Sequence, residues 1–289
     1  MKCYDTCNVI VNTVTHSGTS VFEVYGMIAS KNKSRCFISS LARGVSVLKV
    51  FASSNRPLTL TEIARAVGIN KVTATRFCYT LSELGLIKRD AQLKYCLTPK
   101  VLSLGYASIR SSGWLKIARH YIEELSKEIN ETVNLSMLDD NEIIYLVRAK
   151  TEKILPYDLM IGSKLPIHCT SMGKVLLAFG LEEKTQDLFA HLELQPFTHR
   201  TIIRKDDFLT EIEKIRKQGY SISDEEFSLG LRSIAAPLFC DRGYAVAAIN
   251  IAVPTKRYTV EDLEKKLGPK VLNLTRIIGQ SLKEMELSW

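Results

Sequence analysis

Nowhere in the chain do 18 or more apolar residues follow one another, so no transmembrane helix is expected. The first 30 residues also lack the compact apolar block and small-residue cleavage site of a signal peptide. Histidine is scarce, with five dispersed residues. The seven cysteines, Cys3, Cys7, Cys36, Cys78, Cys96, Cys169 and Cys240, form no CxxC pair and have no His at zinc spacing. That excludes the usual structural metal sites. The odd, scattered thiols read as the reduced cysteines of a cytoplasmic protein, with neither metal nor cofactor expected. Catalytic signatures are missing too. There is no GxSxG elbow, no GxGxxG after a strand and no GxxxxGK[ST]. His168, Cys169 and Ser171 are close in the chain, but closeness in sequence does not make a triad. The run Asp224-Glu225-Glu226 reads as an exposed acidic turn. No enzyme is expected.

Positive charge is missing from most of the chain as well. From Tyr106 to the end, 25 Lys/Arg stand against 26 Asp/Glu, whereas from Lys31 to Lys100 there are 13 against 3. The net +8 of the chain therefore resides in one stretch of the sequence. A basic head on a neutral body points to a polyanionic partner for the head alone; a solvated basic face is the alternative. With 289 residues and 46% hydrophobic composition, two domains are expected.

Within the head, Val47, Leu48, Val50 and Phe51 follow Ser40-Leu41-Ala42-Arg43-Gly44-Val45 at helical spacing. Ser53-Ser54-Asn55-Arg56-Pro57 ends that helix. Thr59 or Thr61 can cap a second helix, LTEIARAVG, with Ile63, Ala64 and Val67 inward and Gly68 as its stop. A third runs from Asn70 to Leu84, with Phe77, Leu81 and Leu84 inward, and Gly85 ends it. LIKRD-AQLK-YCLTP then reads as a hairpin. Helix, helix, Gly turn, helix and hairpin is the order of a winged helix-turn-helix, whose second helix of the pair enters the major groove of DNA. The candidate contacts to double-stranded DNA are Asn70, Lys71, Thr73, Ala74 and Arg76 on the recognition helix and Lys88, Arg89 and Lys94 on the wing, together with Arg43 and Thr59. Arg suits guanine, Thr a base or phosphate, and Lys the backbone.

The rest reads as α+β. A helix from Tyr106 to Asn130 carries a broad apolar side: Ile109, Trp114, Ile117, Tyr121, Ile122, Leu125 and Ile129. Its stripe Ile109, Trp114, Ile117 and Tyr121 looks too rich for a lone linker and is expected to pack between subunits. Strands ETVNLSML and IIYLVRAK flank the turn Asp139–Glu142, and ILPYDLMI reads as another. Helices are expected at Ser171–Phe179, Glu182–His191 and Asp206–Gln218. Strands follow at 219–223, 231–239 and Tyr244–Val253, and a closing helix at Val260–Met285. The resulting plan is an antiparallel sheet with helices around it.

SLARGVSVLKVF, LTLTEIARAVGINKVTATRF, GSKLPIHCTSMGKVLLA, the Thr201 region and KQGYSISDEEFSLGLRSIAAPL followed by VAAINIAVP occur in this order. By them the chain resembles the IclR family of bacterial transcriptional regulators over residues 39–280. SLARG and YCLTPKVLSLGYA resemble its subgroup that regulates aromatic-acid catabolism. Residues 1–38 read as a floppy extension or an unused upstream start. The resemblance implies a winged helix-turn-helix at 39–104, a linker and dimerisation helix at 105–130, and a GAF-like effector-binding domain at 131–289. It also implies a homodimer or tetramer on palindromic operators, and a small carboxylic acid as effector. The pocket positions carried over are Ser171, Met172, Ser223, Leu231, Ser233, Asn250 and Ala252. Where Ser223 stands, members that bind glyoxylate-like acids often have Asp. N–H groups at the start of the SMGK helix, beside Ser171 or Thr170, are then the expected carboxylate seat. Other readings are a sensor of a short aliphatic or sugar acid, an enzyme with an accessory DNA-binding head, or an architectural DNA-binding protein.

Overall fold

Apolar residues at helical spacing set the inward faces of the basic head. The computed structural model describes residues 36–52, 54, 56–151 and 159–284. It divides between Ala107 and Ser108 into two units. In the first, helices α1 (Ser39–Ala52), α2 (Leu60–Val67) and α3 (Lys71–Glu83) precede a hairpin of β1 (Ile87–Arg89) and β2 (Tyr95–Leu97). Val47, Phe51, Leu58, Ile63, Cys78, Leu81, Ile87 and Tyr95 form its core. Thr59 caps α2 through a capping box with Glu62. Gly68 ends α2 at φ 70°, a left-handed conformation that costs Gly little, and Ile69 N–H then donates to Ala64 O at 3.0 Å. Leu58 pairs with Tyr95 in an antiparallel bridge that the sequence did not signal.

One inward residue differs from expectation. Leu84 is 53% exposed, because α3 ends at Glu83 and Leu84 is its C-cap. The inward face is Ala74, Cys78 and Leu81, with Phe77 half-buried.

The expected linker helix is two helices, α4 (Lys100–Ser111) and α5 (Gly113–Ile129), broken at the N-cap Ser112. Ser111-Ser112-Gly113 is a run of weak helix formers, which explains the break. Trp114 is 7% exposed and packs with Leu115, Ala118, Ile122 and Leu125 on the sheet of its own unit, and Ile117 and Tyr121 lie against the same core. Trp114 is therefore interior, which corrects its assignment to a subunit interface, while Ile109, Ile117 and Tyr121 are half-buried.

The second unit is a six-stranded antiparallel sheet in the order β5-β4-β3-β8-β7-β6. Its strands are β3 (Thr132–Asp139), β4 (Glu142–Ala149), β5 (Lys164–Pro166), β6 (Ser221–Asp224), β7 (Leu231–Phe239) and β8 (Ala245–Pro254). Residues 154–158 of the expected strand ILPYDLMI lie outside the described residues. Leu159–Ile161 are not strand, and β5 comes just after them. One sheet face packs on α5 and the closing helix. The other packs on α6 (Ser171–Phe179) and α8 (Lys205–Gln218), with α7 (Glu182–His191) beside α6. The closing helix begins as α9 (Val260–Asp262), widens to a π-turn at Leu263–Leu267 and continues as α10 (Gly268–Glu284). Pro269, which has no N–H to donate and crowds the preceding turn, sits just after the widened turn. Met285, the expected last residue of this helix, lies outside the described residues, as does the extension 1–38 up to Arg35.

A β-bulge changes which residues face the α6 side. Leu135 pairs with Val147 but Ser136 pairs with Tyr145, so Leu146 is the extra residue in β4. Ile143 and Tyr145 accordingly belong to the α6 core, and Val147 and Ala149 to the α5 core.

Candidate functional site

Each unit carries a candidate site. On the head, α3 presents Lys71, Thr75, Arg76 and Tyr79 as exposed residues. Asn70 is exposed and caps the helix by accepting from Thr73 N–H at 2.8 Å. Thr73 is half-buried, and Val72 and Tyr79 are 73% and 66% exposed. Ala74 was expected among the DNA contacts, but it has no exposed surface and belongs to the head's interior. Its step of four to Cys78 and seven to Leu81 was the signal for that. Thr75 and Tyr79 were overlooked on the outward face. Thr59 Oγ1 is already engaged with Glu62, accepting its N–H and donating to its carboxylate at 2.8 Å. The Arg56 guanidinium and the cap bonds from Thr59 hold the Glu62 carboxyl at about 2.

Arg43, Lys88 and Arg89 are exposed and Lys94 half-buried. Asp90 accepts from Gln92 and Lys94 N–H at 2.9 Å each, which shapes the wing's turn. Arg89 lies over the Tyr95 ring at 5.5 Å. Lys100 Nζ donates to Leu84 O at 2.8 Å, closing the C-terminal end of α3.

In the second unit a cavity lies on the inner face of the sheet. Its floor is two rows of cross-strand neighbours. Arg148, Asn134 and Asn250 are aligned across β4, β3 and β8, and Ala252, Ser233 and Ser223 across β8, β7 and β6. Leu159, Leu165, Cys169 and Thr170 wall one side, and Phe227, Ser228 and Leu231 another, with Tyr145 beside Arg148. The space open to water centres is about 40 Å³. A single water needs roughly 10–15 Å³ on that measure, so the cavity suits a small molecule and not a polymer.

Five of the seven expected pocket residues line this cavity: Ser223, Leu231, Ser233, Asn250 and Ala252. Ser171 and Met172 do not. Ser171 sits behind Ser233, their hydroxyls 2.7 Å apart, and Met172 Sδ accepts from Ser136 Oγ at 3.2 Å beneath the floor. At the start of α6 one N–H is engaged by the cap. Thr170 Oγ1 accepts from Gly173 N–H, and a Cβ on Gly173 would lie 2.1 Å from Ile167 O, so the preceding loop is pressed against the helix. Thr170, at that end of the helix, lines the cavity, and so does Arg148. Among the described lining residues Arg148 alone carries a formal charge, and its guanidinium lies over the Tyr145 ring at 5.8 Å. Burial raises the Tyr145 phenol and the Cys169 thiol, so both stay neutral. Uniform alternation in IIYLVRAK sets Arg148 opposite Tyr145, and only the bulge brings Arg148 and Tyr145 to one face; Asn134 reads as the polar, outward side of an alternating strand.

The acidic run at 224–226 is not a solvated turn. Asp224 and Glu225 pair with Arg200, and Asp224 also pairs with Arg232. Glu226 is 6% exposed and accepts from Lys174 Nζ at 2.6 Å. Lys174, wholly buried on α6, also donates to Ile222 O at 2.7 Å and Glu211 at 3.2 Å. Thr201 Oγ1 donates to Glu226 O and accepts from Phe197 and Thr198 N–H. These bonds fix the loop that carries Phe227 and Ser228 into the cavity. Burial raises the Glu226 carboxyl, opposed by Lys174, and burial lowers the His168 imidazole, which faces Gln195 O at 2.9 Å. Among the described residues no group of three metal-ligating side chains occurs and no helix is long and apolar enough to cross a membrane.

Comparison with known proteins matches both units. The IclR helix-turn-helix domain covers residues 40–91, and the bacterial transcriptional regulator IclR C-terminal domain covers 106–279. The Pca regulon regulatory protein of Pseudomonas putida is 34% identical over 247 residues, spanning 85% of this chain and 84% of that protein. A crystal structure from Rhodococcus sp. RHA1, solved as a transcriptional regulator, has 37% identity and a TM-score of 0.72 over 86% of this chain and 100% of its own. The inducer-binding domain of the PobR transcription factor from Acinetobacter, a double mutant in complex with 3-hydroxybenzoic acid, has 28% identity and a TM-score of 0.53. That match spans 57% of this chain and 96% of the other.

Proposed function

Because the chain belongs to the IclR family of bacterial transcriptional regulators, we propose that this DNA-binding regulator is a cytoplasmic sensor of a small aromatic carboxylic acid. The head binds double-stranded operator DNA through Asn70, Lys71, Thr73 and Arg76, with Arg43, Lys88, Arg89 and Lys94 on phosphates. The acid enters the sheet cavity and alters operator affinity, in repression or activation.

The observation that carries this reading is Arg148 on the cavity floor beside Tyr145, Phe227 and Leu231. A guanidinium pairs a carboxylate bidentately, and the apolar walls take a ring. The aromatic walls favour this over a short aliphatic or sugar acid, and the Acinetobacter domain supports it with a hydroxybenzoate ligand. Arg148→Met keeps an unbranched apolar stem and removes the charge. Titration calorimetry is expected to give a loss of roughly 10- to 150-fold in affinity for 3- or 4-hydroxybenzoate, the range of a charge-assisted hydrogen bond. Equal affinity in the variant, or no aromatic acid binding wild type below about millimolar, would overturn the assignment.

A two-fold operator requires a two-fold protein, so the chain acts as a homodimer or tetramer. Helix α4 buries none of its residues, and Leu102 and Tyr106, one turn apart, are 74% and 65% exposed. They take the interfacial part first assigned to Trp114. Leu102→Glu with Tyr106→Glu should release monomers in sedimentation at micromolar concentration without lowering thermal stability. A wild type that already sediments as a monomer contradicts it.

A further inference from the structure

The recognition helix α3 exposes an apolar residue that neither its fold nor the polar contacts to DNA account for. Val72 is 73% exposed, among the most open of the large apolar side chains in the described residues. Its branched side chain has only a middling preference for helix, so nothing local calls for it on an open face. At about 100° per residue, the inward residues Ala74, Cys78 and Leu81 define an opposite direction, and Val72, Arg76 and Tyr79 lie within about 50° of it. Lys71 and Thr73 lie about 70° or more to either side. The crown of α3 is therefore Val72, Arg76 and Tyr79, all exposed, with Lys71 and the half-buried Thr73 on its shoulders.

Charge decides which end of α3 approaches DNA. Lys71 and Arg76 stand in its first two turns, and Glu83, also exposed, is its last residue. The helix dipole at the N-terminal end favours phosphate, whereas Glu83 at the other end repels it. Val72 thus sits at the end that meets base edges. In the major groove, the apolar group that a base edge presents is the C5-methyl of thymine. The two methyls of Val72 can neither donate nor accept, and pressed on a polar edge they would leave it unpaired. A thymine methyl is their complement.

Arg76 follows Val72 by one turn, about 6 Å along the helix axis. Stacked base pairs are about 3.4 Å apart, so a guanine held by Arg76 and a thymine under Val72 lie within about two base pairs of each other. Tyr79, a further turn on, carries a hydroxyl suited to phosphate.

We propose that Val72 is a specificity-determining residue that reads the C5-methyl of a thymine within about two base pairs of the guanine bound by Arg76. The proposal rests on the reading of the head as operator-binding. Its test is fluorescence anisotropy of the full chain, at one fixed salt concentration, on duplex DNA that it selects from a randomised library. Each thymine of a half-site is replaced in turn by deoxyuridine, which pairs identically and lacks only the methyl. Wild type is expected to lose about 4-fold in affinity at one such thymine, the worth of one buried methyl group, and roughly 15-fold when both half-sites carry the change. In Val72→Ala, which withdraws both methyls and has the higher helix propensity, thymine and deoxyuridine duplexes bind alike. Arg76→Ala identifies the guanine as the position where base discrimination is lost. The wild-type base series needs no variant, so a misfolded substitution does not blunt the test. Wild type indifferent to deoxyuridine at every thymine overturns the proposal and leaves operator binding standing. A variant that keeps the full gap, or a sensitive thymine farther than that from the guanine, does the same. A library from which the chain selects no sequence overturns both.

Discussion

Lys174→Met is expected to destabilise the second unit by about 3–5 kcal/mol, the cost of removing one partner of a buried ion pair. Lys174 and Glu226 side chains are 1% and 8% exposed, so neither has water to fall back on. The substitution strands the Glu226 carboxyl and also removes the bonds to Ile222 O and Glu211. The deficit has a definite pH dependence. Burial already raises the Glu226 carboxyl, and without Lys174 the opposing influence is gone. A carboxyl whose folded pKa is above its unfolded value contributes stability that is full below the unfolded pKa and lost as pH rises through the folded one. Chemical denaturation should therefore show a larger deficit at about pH 8 than at about pH 5. Adding Glu226→Leu to the variant should restore part of the loss, because an apolar pair can replace a buried ionic one. A single-variant loss under about 1 kcal/mol would mean that the pair does not hold the loop carrying Phe227.

The second large effect is the salt dependence of operator binding. The excess positive charge lies in Lys31–Lys100, and Arg43, Lys71, Arg76, Lys88 and Arg89 are exposed there. If a dimer neutralises about six phosphates, affinity falls by roughly three decades between 50 and 200 mM salt. Lys88→Ala should lower the slope and weaken all sequences alike. Arg76→Ala should cost about 1–3 kcal/mol at the right operator and relax its specificity, as loss of a base contact does. Binding that ignores salt would exclude the head as the source of affinity.

Local rules of the chain made much of this legible. Gly68 and Gly85 both sit at left-handed φ where the sequence placed helix ends, and Thr59 forms the cap its position implied. The winged order of the head and the antiparallel plan of the body follow from the same punctuation and from changes in apolar period. What escaped depends on contacts far apart in sequence. The bulge at Leu146 turns Arg148 into the cavity, and no local signal distinguishes it from an alternating strand. Glu226 looked solvated because its partner Lys174 lies 52 residues away in a helix that reads as apolar. Trp114 looked like an interface residue because the sheet it packs on is assembled from later segments. Ala74, by contrast, is placed inside by its spacing to Cys78 and Leu81.

The central claim is that acid in the sheet cavity and operator on the head are coupled. Fluorescence anisotropy of labelled operator DNA, at one fixed salt concentration, with and without saturating 3- or 4-hydroxybenzoate, tests it most directly. The account predicts a change in operator affinity of about 5- to 150-fold, lost in Arg148→Met. Reciprocity requires that saturating operator change the acid's affinity by the same factor. An operator affinity that stays the same while calorimetry shows the acid bound would contradict it.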